Sequence, residues 1–223
     1  MSAKVEMTDR EPLTYLLPPP ITDGKMSLEY VLAHRRSQRH LTGQAISAEQ
    51  LGQLLWSAYG VTSPQPYKPL TRGGFRTAPS AGGSYPLEVD VIIGNVEGIE
   101  PGVYRYVSEA HKIVRRMDKD IRAEMCAAAL GQAFVKEAPI TIVYSGIYER
   151  TTKKYGERGL TRYVWLDAGH STENVCLQVE ALGLGACVVG AFNDEQVAEL
   201  MQYSGEEVPM YMVAVGHRKA VRG

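Results

Sequence analysis

Residues 162–194 predict a long helix, a glycine stop and a short strand in direct succession. Apolar residues recur at helical spacing in two stripes, Val164, Ala168, Val175, Val179 and Leu182 in the first and Leu166, Leu177 and Ala181 in the second. A surface helix carries one such stripe, so we expect this helix to be covered on most sides. Gly183 and Gly185 stand where a C-terminal cap is needed. Residues 186–189 are apolar and long enough for a core strand.

Length and composition indicate one soluble globular unit. The chain has 223 residues, 44% of them hydrophobic and 22% charged, with a formal net charge of −1. That charge gives no basic field for nucleic acid, and no apolar run reaches the roughly 20 residues of a membrane span. Cys126, Cys176 and Cys187 form no CxxC pair, so we expect core thiols and no metal site. No signal segment is evident, and we expect a cytoplasmic protein.

Helix start signals lie outside the central stretch as well. Ser27, Ser47 and Asn193 are good N-caps, and Ser47 opens a capping box. Gly60 is predicted to end the helix that Ser47 begins, and Asp118 is predicted to cap a further helix.

Strand signals alternate with these helices. Apolar, β-branched runs predict strands at residues 87–93, 139–144 and 208–215, and a hairpin at residues 102–107 and 111–116. Residues 61–85 and 146–161 lack periodicity and are expected to be loops. Residues 1–26 are polar and punctuated by proline, and we expect an extended arm before a single domain at residues 27–223. This mixture predicts an α+β fold with a covered sheet.

A basic cluster follows the first helix at Arg35, Arg36, Ser37 and Arg39. The planar donors of arginine suit phosphate and other oxyanions. The same pattern is also typical of a solvated helix end, where cations favour the helix dipole. Arg218, at the end of the last strand, could add a cation to an anion site or be merely solvated.

Three further groups could carry chemistry. The small residues at 80–84 offer backbone N–H groups, but neither a P-loop nor a Rossmann glycine pattern is present. Asp167 and His170 could form an acid–base pair or a metal site, although a histidine satisfied by its neighbours is the commoner case. Lys154 and Tyr155 together could move a proton and hold an oxyanion, or could belong to a solvated loop.

Taken in order, these stretches resemble the nitroreductase superfamily of flavin enzymes, and more narrowly its SagB/McbC-type dehydrogenase branch. The matching segments are Leu17-Pro18-Pro19-Pro20, Arg35-Arg36-Ser37-x-Arg39, Pro79-Ser80-Ala81-Gly82-Gly83-Ser84-Tyr85-Pro86-Leu87-Glu88-Val89, Gly102-Val103-Tyr104, Lys154-Tyr155-Gly156-x-Arg158, Leu166-Asp167-Ala168-Gly169-His170 and Leu182-Gly183-Leu184-Gly185. The resemblance implies an α+β sandwich in which a central mixed β-sheet is flanked by helices. It also implies a homodimer that binds FMN at its subunit interface.

The resemblance also implies roles for individual residues. Arg35, Arg36 and Ser37 would hold the FMN phosphate and ribityl chain, Arg218 would close the phosphate site, and Arg39 would lie near N1 and the C2 carbonyl of the ring. A glycine loop from the partner subunit would pass along the cofactor, and a second loop would lie along the ring with a backbone N–H near N5. The first loop is Ser80, Ala81, Gly82 and Gly83, and the second is Val189, Gly190 and Ala191.

The activity implied is hydride transfer through FMN, with NAD(P)H as electron donor and a nitroaromatic, a quinone or another small electrophile as acceptor. Lys154 and Tyr155 resemble the catalytic pair of peptide azoline dehydrogenases, so a SagB-like dehydrogenase that oxidises a small or peptide-derived substrate is an alternative. A flavin-binding sensor or carrier without turnover is another. A domain that binds anions but no flavin is the alternative outside the family.

Overall fold

The computed structural model describes residues 12–63 and 73–219, and the elements below are those of these residues. The strands are β1 (Thr14–Leu16), β2 (Leu41–Thr42), β3 (Val61–Ser63), β4 (Phe75–Arg76), β5 (Leu87–Ile93), β6 (Gly102–Val107), β7 (Lys112–Met117), β8 (Ile140–Ile147), β9 (Gly185–Val189) and β10 (Glu207–Arg218). The helices are α1 (Leu28–His34), α2 (Ala48–Tyr59), α3 (Arg122–Ala128), α4 (Ala133–Glu137), α5 (Glu149–Tyr155), α6 (Val164–Ala181) and α7 (Asp194–Leu200).

Eight of these strands form one sheet in the order β1-β7-β6-β5-β8-β10-β2, and β9 also pairs with β10; β3 and β4 pair separately. All strand pairs in the described residues are antiparallel. Parallel pairing is confined to isolated bridges, one of which joins Ser37 to Ala186. The expected mixed sheet is therefore an antiparallel one, because hairpins and returning strands rather than parallel crossovers connect its neighbours.

Alternation along β5 divides the core into two layers. Val89, Val91 and Ile93 belong to the layer covered by α2 and α6, whereas Ile92 belongs to the layer covered by α3, α4 and α7. Successive side chains of a strand point to opposite faces, so the sheet buries apolar residues on both sides. The result is the expected α+β sandwich with helices on both faces of one sheet.

The helix caps follow the sequence closely. Ser27, Ser47 and Asn193 cap α1, α2 and α7, each side chain accepting the N–H three residues later, and Ser47 forms the predicted capping box. Gly60 ends α2, as predicted. Asp118 does not cap α3. The carboxylate of Asp120 accepts the N–H of Arg122 instead, because α3 begins three residues later than the pattern suggested.

The central helix and strand are confirmed as α6 and β9, and Gly183 adopts the left-handed conformation just after the helix (φ +70°). Four members of the first apolar stripe are buried, and the fifth, Leu182, is partly buried; the four are Val164, Ala168, Val175 and Val179. The second stripe is less covered than expected, since Leu166 is 50% exposed. Within one chain, α6 is therefore buried on one side only.

Two segments differ from the sequence reading. Residues 149–155, expected in a loop, form α5, which a π-helical turn at Gly159–Tyr163 joins to α6. Residues 14–16 of the arm form β1, which pairs with β7. Residues 1–11 of the arm and residues 64–72 of the predicted loop lie outside the described residues. None of the helices described is both long and apolar enough to cross a membrane.

Candidate active site

The basic segment after α1 lies against the start of β9. The N–H of Gln38 donates to the carbonyl of Ala186 at 2.7 Å, and Ser37 bridges the same residue. A Cβ on Gly185 would lie 3.1 Å from that of Gln38. Glycine at this position therefore permits the close approach that brings residues 35–39 to the sheet.

Arg35, Arg36 and Ser37 line one cleft together with Cys176 and Glu180 of α6. The Nε of Arg35 lies 3.4 Å from a carboxylate oxygen of Glu173, which is also on α6, about one turn before Cys176. The guanidinium of Arg36 donates to the carbonyls of residues 33 and 35 at 3.0 and 2.8 Å. Part of the cluster thus does cap the carboxyl end of α1, as the alternative interpretation had it.

Arg218, on β10, contacts two residues that line this cleft. Its guanidinium donates to Glu180 at 2.6 Å and to the carbonyl of Leu184 at 2.8 Å. The structure therefore brings Arg218 to the wall of the cleft that Arg35 and Arg36 line, although more than 180 residues of sequence separate it from them.

Arg39 lies near the thiol of Cys187. Its charge lowers the pKa of that thiol, but burial raises the pKa by more. The guanidinium of Arg39 is exposed and makes no hydrogen bond or ion pair with any residue that the structure describes. It is the cluster member most available to a ligand.

A tight turn at Ala81–Gly83 forms the second part of the candidate site. The N–H of Gly83 donates to the carbonyl of Ser80 at 3.1 Å, and the N–H of Tyr85 donates to the Ser80 hydroxyl at 2.9 Å. Gly82 is left-handed, with φ +59°. The hydroxyl of Ser84 closes the turn on the carbonyl of Ala81 at 2.9 Å.

Lys154 and Tyr155, at the end of α5, converge on this turn. A Cβ added to Gly82 would collide with the Tyr155 hydroxyl and would lie 2.5 Å from Nζ of Lys154. The neighbouring Lys153 points to solvent and pairs with Glu149 at 3.1 Å. The structure thus gathers the predicted catalytic pair and the predicted glycine loop into one place, which neither pattern showed alone.

Helix α5 is held by contacts that the sequence did not reveal. Arg150 donates to Glu88 of β5 at 2.5 Å, and the hydroxyl of Thr151 lies 2.9 Å from that of Ser84. Glu88 in turn lies 3.3 Å from Arg105. Partners more than 60 residues apart therefore fix the helix that carries Lys154.

The loop after β9 is the third predicted part. Val189 is buried, whereas Gly190 and Ala191 are exposed. The amide of Gln132 donates to the carbonyl of Ala191 at 3.1 Å, which ties the loop to the turn before α4. A Cβ on Gly190 would lie 3.2 Å from the ring of Tyr211, so little room exists for a side chain here.

Asp167, in the first turn of α6, faces the glycine turn. The nearby Ser80 hydroxyl, Ala81 N–H and His170 each lower the pKa of its carboxyl group. Burial outweighs these effects and raises the pKa above the ordinary value. The sequence pairs Asp167 with His170 but does not predict its proximity to the turn, because 86 residues separate it from Ala81.

Helix α6 keeps the two halves of the site apart. Asp167 touches the glycine turn, whereas Glu173 and Glu180 touch the basic cluster. Thirteen residues of helix between Asp167 and Glu180 span about 20 Å. No group of three or more His, Cys, Asp or Glu that could hold a metal occurs among residues 12–63 and 73–219.

The family model that describes nitroreductases matches residues 32–217 of the chain, which include the glycine turn and the whole basic cluster except Arg218. The chain belongs to the nitroreductase family. This membership makes it an oxidoreductase by family and agrees with the sandwich described above.

Two relatives illustrate the range of similarity. A protein of Methanocaldococcus jannaschii, named provisionally as a nitroreductase, is 41% identical over 87% of this chain and 92% of its own. A Bacillus subtilis protein named FMN reductase (NADPH) is 22% identical over 61% of this chain and 59% of its own.

Solved structures share the fold. Nitroreductase-like proteins from Ralstonia eutropha and Anabaena variabilis match with TM-scores of 0.78 and 0.79 at 30% and 27% identity. They cover 97% and 93% of this chain, which spans 97% of the first and 42% of the longer second. A chain of the Escherichia coli microcin synthetase McbBCD complex matches with a TM-score of 0.72 at 20% identity, over 98% of this chain and 84% of its own. At that identity the last match shows the fold alone.

Proposed function

We propose that the protein is an FMN-dependent oxidoreductase of the nitroreductase type. The observation that carries this proposal is the cleft beside α6 that Arg35, Arg36 and Ser37 line, together with the ion pair of Arg218 to Glu180 at its wall. Family membership and the flavin named in the Bacillus subtilis relative support the choice of cofactor.

The charges of the cluster suit a phosphate monoester. Four arginines, at positions 35, 36, 39 and 218, stand against two glutamates, Glu173 and Glu180, which leaves an excess of two positive charges. A phosphate monoester carries a charge of about −1.5 to −2 at neutral pH. Arg35, Arg36, Ser37 and Arg218 would hold this phosphate, and Arg39 would face the pyrimidine edge of the flavin.

A homodimer would complete the site. Helix α6 separates the basic cluster from the glycine turn within one chain, and its outward face, with Leu166 half exposed, is open to a second copy. In such a dimer the turn at residues 80–83 would lie along the cofactor held by the partner's arginines. Residues 189–191 would lie along the ring, where their backbone N–H groups and small side chains permit close approach.

When bound, FMN would supply a centre that accepts and returns a hydride. The positive charge of Arg39 would stabilise the negative charge that develops on the pyrimidine edge during reduction. NAD(P)H would be the donor, and a nitroaromatic, a quinone or another small electrophile the acceptor.

A SagB-like dehydrogenase is the second candidate, and the meeting of Lys154 and Tyr155 over Gly82 favours it. A lysine and a phenol at one point can take a proton from a substrate and hold it while hydride leaves for the cofactor. In the first candidate the same pair would deliver a proton to the acceptor. A sensor or carrier would use neither proton removal nor proton delivery by this pair.

The first experiment tests cofactor binding. Protein purified after expression with riboflavin should be yellow and should release FMN on denaturation. Arg35→Ala should lower FMN content at least several-fold, because it removes a cation from the phosphate site. Arg115→Ala is the matched control, since Arg115 also pairs with one exposed glutamate but lies on β7. A colourless wild-type protein, or equal FMN loss in both variants, would contradict the proposal.

The second experiment tests the pair. Lys154→Ala should keep FMN and lose most turnover, about 10²-fold or more for a general acid or base. Lys153→Ala, on the adjacent exposed lysine, should leave both unchanged. Anaerobic reduction of the flavin by NADH and by NADPH then separates the candidates, because rapid reduction indicates the nitroreductase and none indicates the dehydrogenase or the sensor. Full activity of Lys154→Ala would refute a catalytic role for the pair.

A further inference from the structure

Asp167 is a buried carboxyl group that the proposed chemistry does not use. It is only 3% exposed. One of its oxygens, Oδ2, is buried and has no hydrogen-bond partner in the part of the chain that the structure describes. Burying a carboxylate with incomplete hydrogen bonding costs stability. A residue that weakens the fold in this way calls for a reason other than packing.

The carboxylate starts a short series of contacts that ends at the proposed catalytic pair. Asp167 interacts with the hydroxyl of Ser80 and the N–H of Ala81. The next residue is Gly82, whose backbone lies against the Tyr155 hydroxyl and Nζ of Lys154. No other charged side chain interacts with the turn among the contacts of the described residues, apart from Lys154 itself.

We propose that Asp167 is a positioning residue: its carboxylate fixes the turn at residues 80–83, and through Gly82 it sets the relative positions of Lys154 Nζ and the Tyr155 hydroxyl. The assignment rests on the proposed function, because only a catalytic pair needs to be held at a fixed separation. A displacement of about 1 Å in such a pair can cost on the order of 10²-fold in rate.

The charged surroundings of Asp167 are sparse. His170 lies one turn later on α6 and is the one charge that lowers the pKa of Asp167. From α2, the phenol of Tyr59 lies close enough for Asp167 to raise its pKa, and Arg76 and Arg150 act on that phenol in the opposite direction. Burial therefore dominates, and the folded protein favours the protonated form of Asp167 more than the unfolded chain does.

Stability against pH gives the first test. A carboxyl whose folded pKa is raised contributes stability at low pH that is lost as pH rises through that pKa. The neutral variant Asp167→Asn avoids this loss. Its Tm should therefore exceed that of the wild type at pH 8, and the difference should shrink as the pH falls toward 4. Asp118→Asn, which changes an exposed carboxylate in the turn after β7, should show no such trend.

Hydrogen exchange gives a second test that needs no turnover. Asp167→Ala removes the carboxylate that lies beside the Ala81 N–H, so exchange of amides at residues 80–84 should rise about tenfold or more. Asp118→Ala should leave these amides unchanged. Unaltered exchange of the turn in Asp167→Ala would overturn the proposal.

Kinetics separate positioning from a purely structural role. Asp167→Asn should keep wild-type FMN content and Tm at or above the wild-type value, while kcat falls about tenfold or more and KM changes less. Parallel loss of FMN, Tm and activity would show a structural residue and would overturn the proposal. If the wild type itself lacks flavin, the proposed function fails, yet the exchange data still support or overturn the anchoring of the turn by Asp167.

Discussion

Gly82 offers a sharp test of the geometry, because a single methyl group there acts in two ways. Gly82→Ala places a non-glycine residue at φ +59°, which costs about 1–2 kcal/mol. For a protein of this size that lowers Tm by about 2–8 °C. The new Cβ would also lie 2.5 Å from Nζ of Lys154. Restoring an ordinary separation of about 3.5 Å moves that atom by about 1 Å, which should lower kcat on the order of 10²-fold.

Gly98→Ala is the matched control. Gly98 also has a positive φ, +73°, but no atom lies within 4 Å of an added Cβ. Both variants should lose similar stability in thermal unfolding, and turnover is compared per molecule of bound FMN, because residues 80–83 are proposed to lie along the cofactor. Only Gly82→Ala should lose turnover under saturating substrate. Equal turnover in the two variants would refute the inference that Lys154 and Tyr155 act at this point.

Three further predictions concern stability and reactivity. Ser47→Ala removes the capping box of α2 and should cost about 0.5–2 kcal/mol in denaturant unfolding. Arg105→Met leaves the buried carboxylate of Asp90 without its bidentate partner and should lower the free energy of unfolding by about 3–5 kcal/mol. Burial raises the pKa of Asp90, so part of this lost stability should be recovered as pH falls. Burial raises the pKa of Cys176 to about 11, so the half-buried Cys126 should react with a thiol reagent at pH 8 well before Cys176 does; equal rates would contradict this.

Most of the helices and strands could be predicted from local sequence signals. The caps at Ser27, Ser47 and Asn193 depend on a side chain and an N–H three residues later, so the sequence alone shows them. The hairpin of β6 and β7 is local in the same sense. The sheet direction is not local, because it depends on how strands far apart in the chain return to one another.

Helix α5 shows why part of the prediction failed. Of its seven residues, only Thr151 is buried, so no apolar stripe marks it as a helix. Its position depends on Arg150 and Glu88, which are 62 residues apart. A contact of that kind has no periodicity and leaves no pattern in the sequence.

In the candidate site, too, the sequence predicts individual groups but not the contacts between distant ones. The sequence proposed Lys154 and the glycine loop separately, and only the folded chain brings Nζ to Gly82. The role now assigned to Asp167 was not foreseen, since its pairing with His170 on the same helix is visible in the sequence and its contact with Ser80 is not. The assignment of these groups to FMN remains a prediction that the binding experiment tests.

Helix α6 fixes the spacing between the two halves of the site. Its pitch sets both the distance and the angle between Asp167 at one end and Glu180 at the other. One inserted residue would rotate everything beyond it by about 100°, and two inserted turns would restore the angle but add about 10 Å. Insertions within α6 are therefore expected to disrupt the relation between the basic cluster and the glycine turn, whereas the exposed turn at Gly98 should accept them.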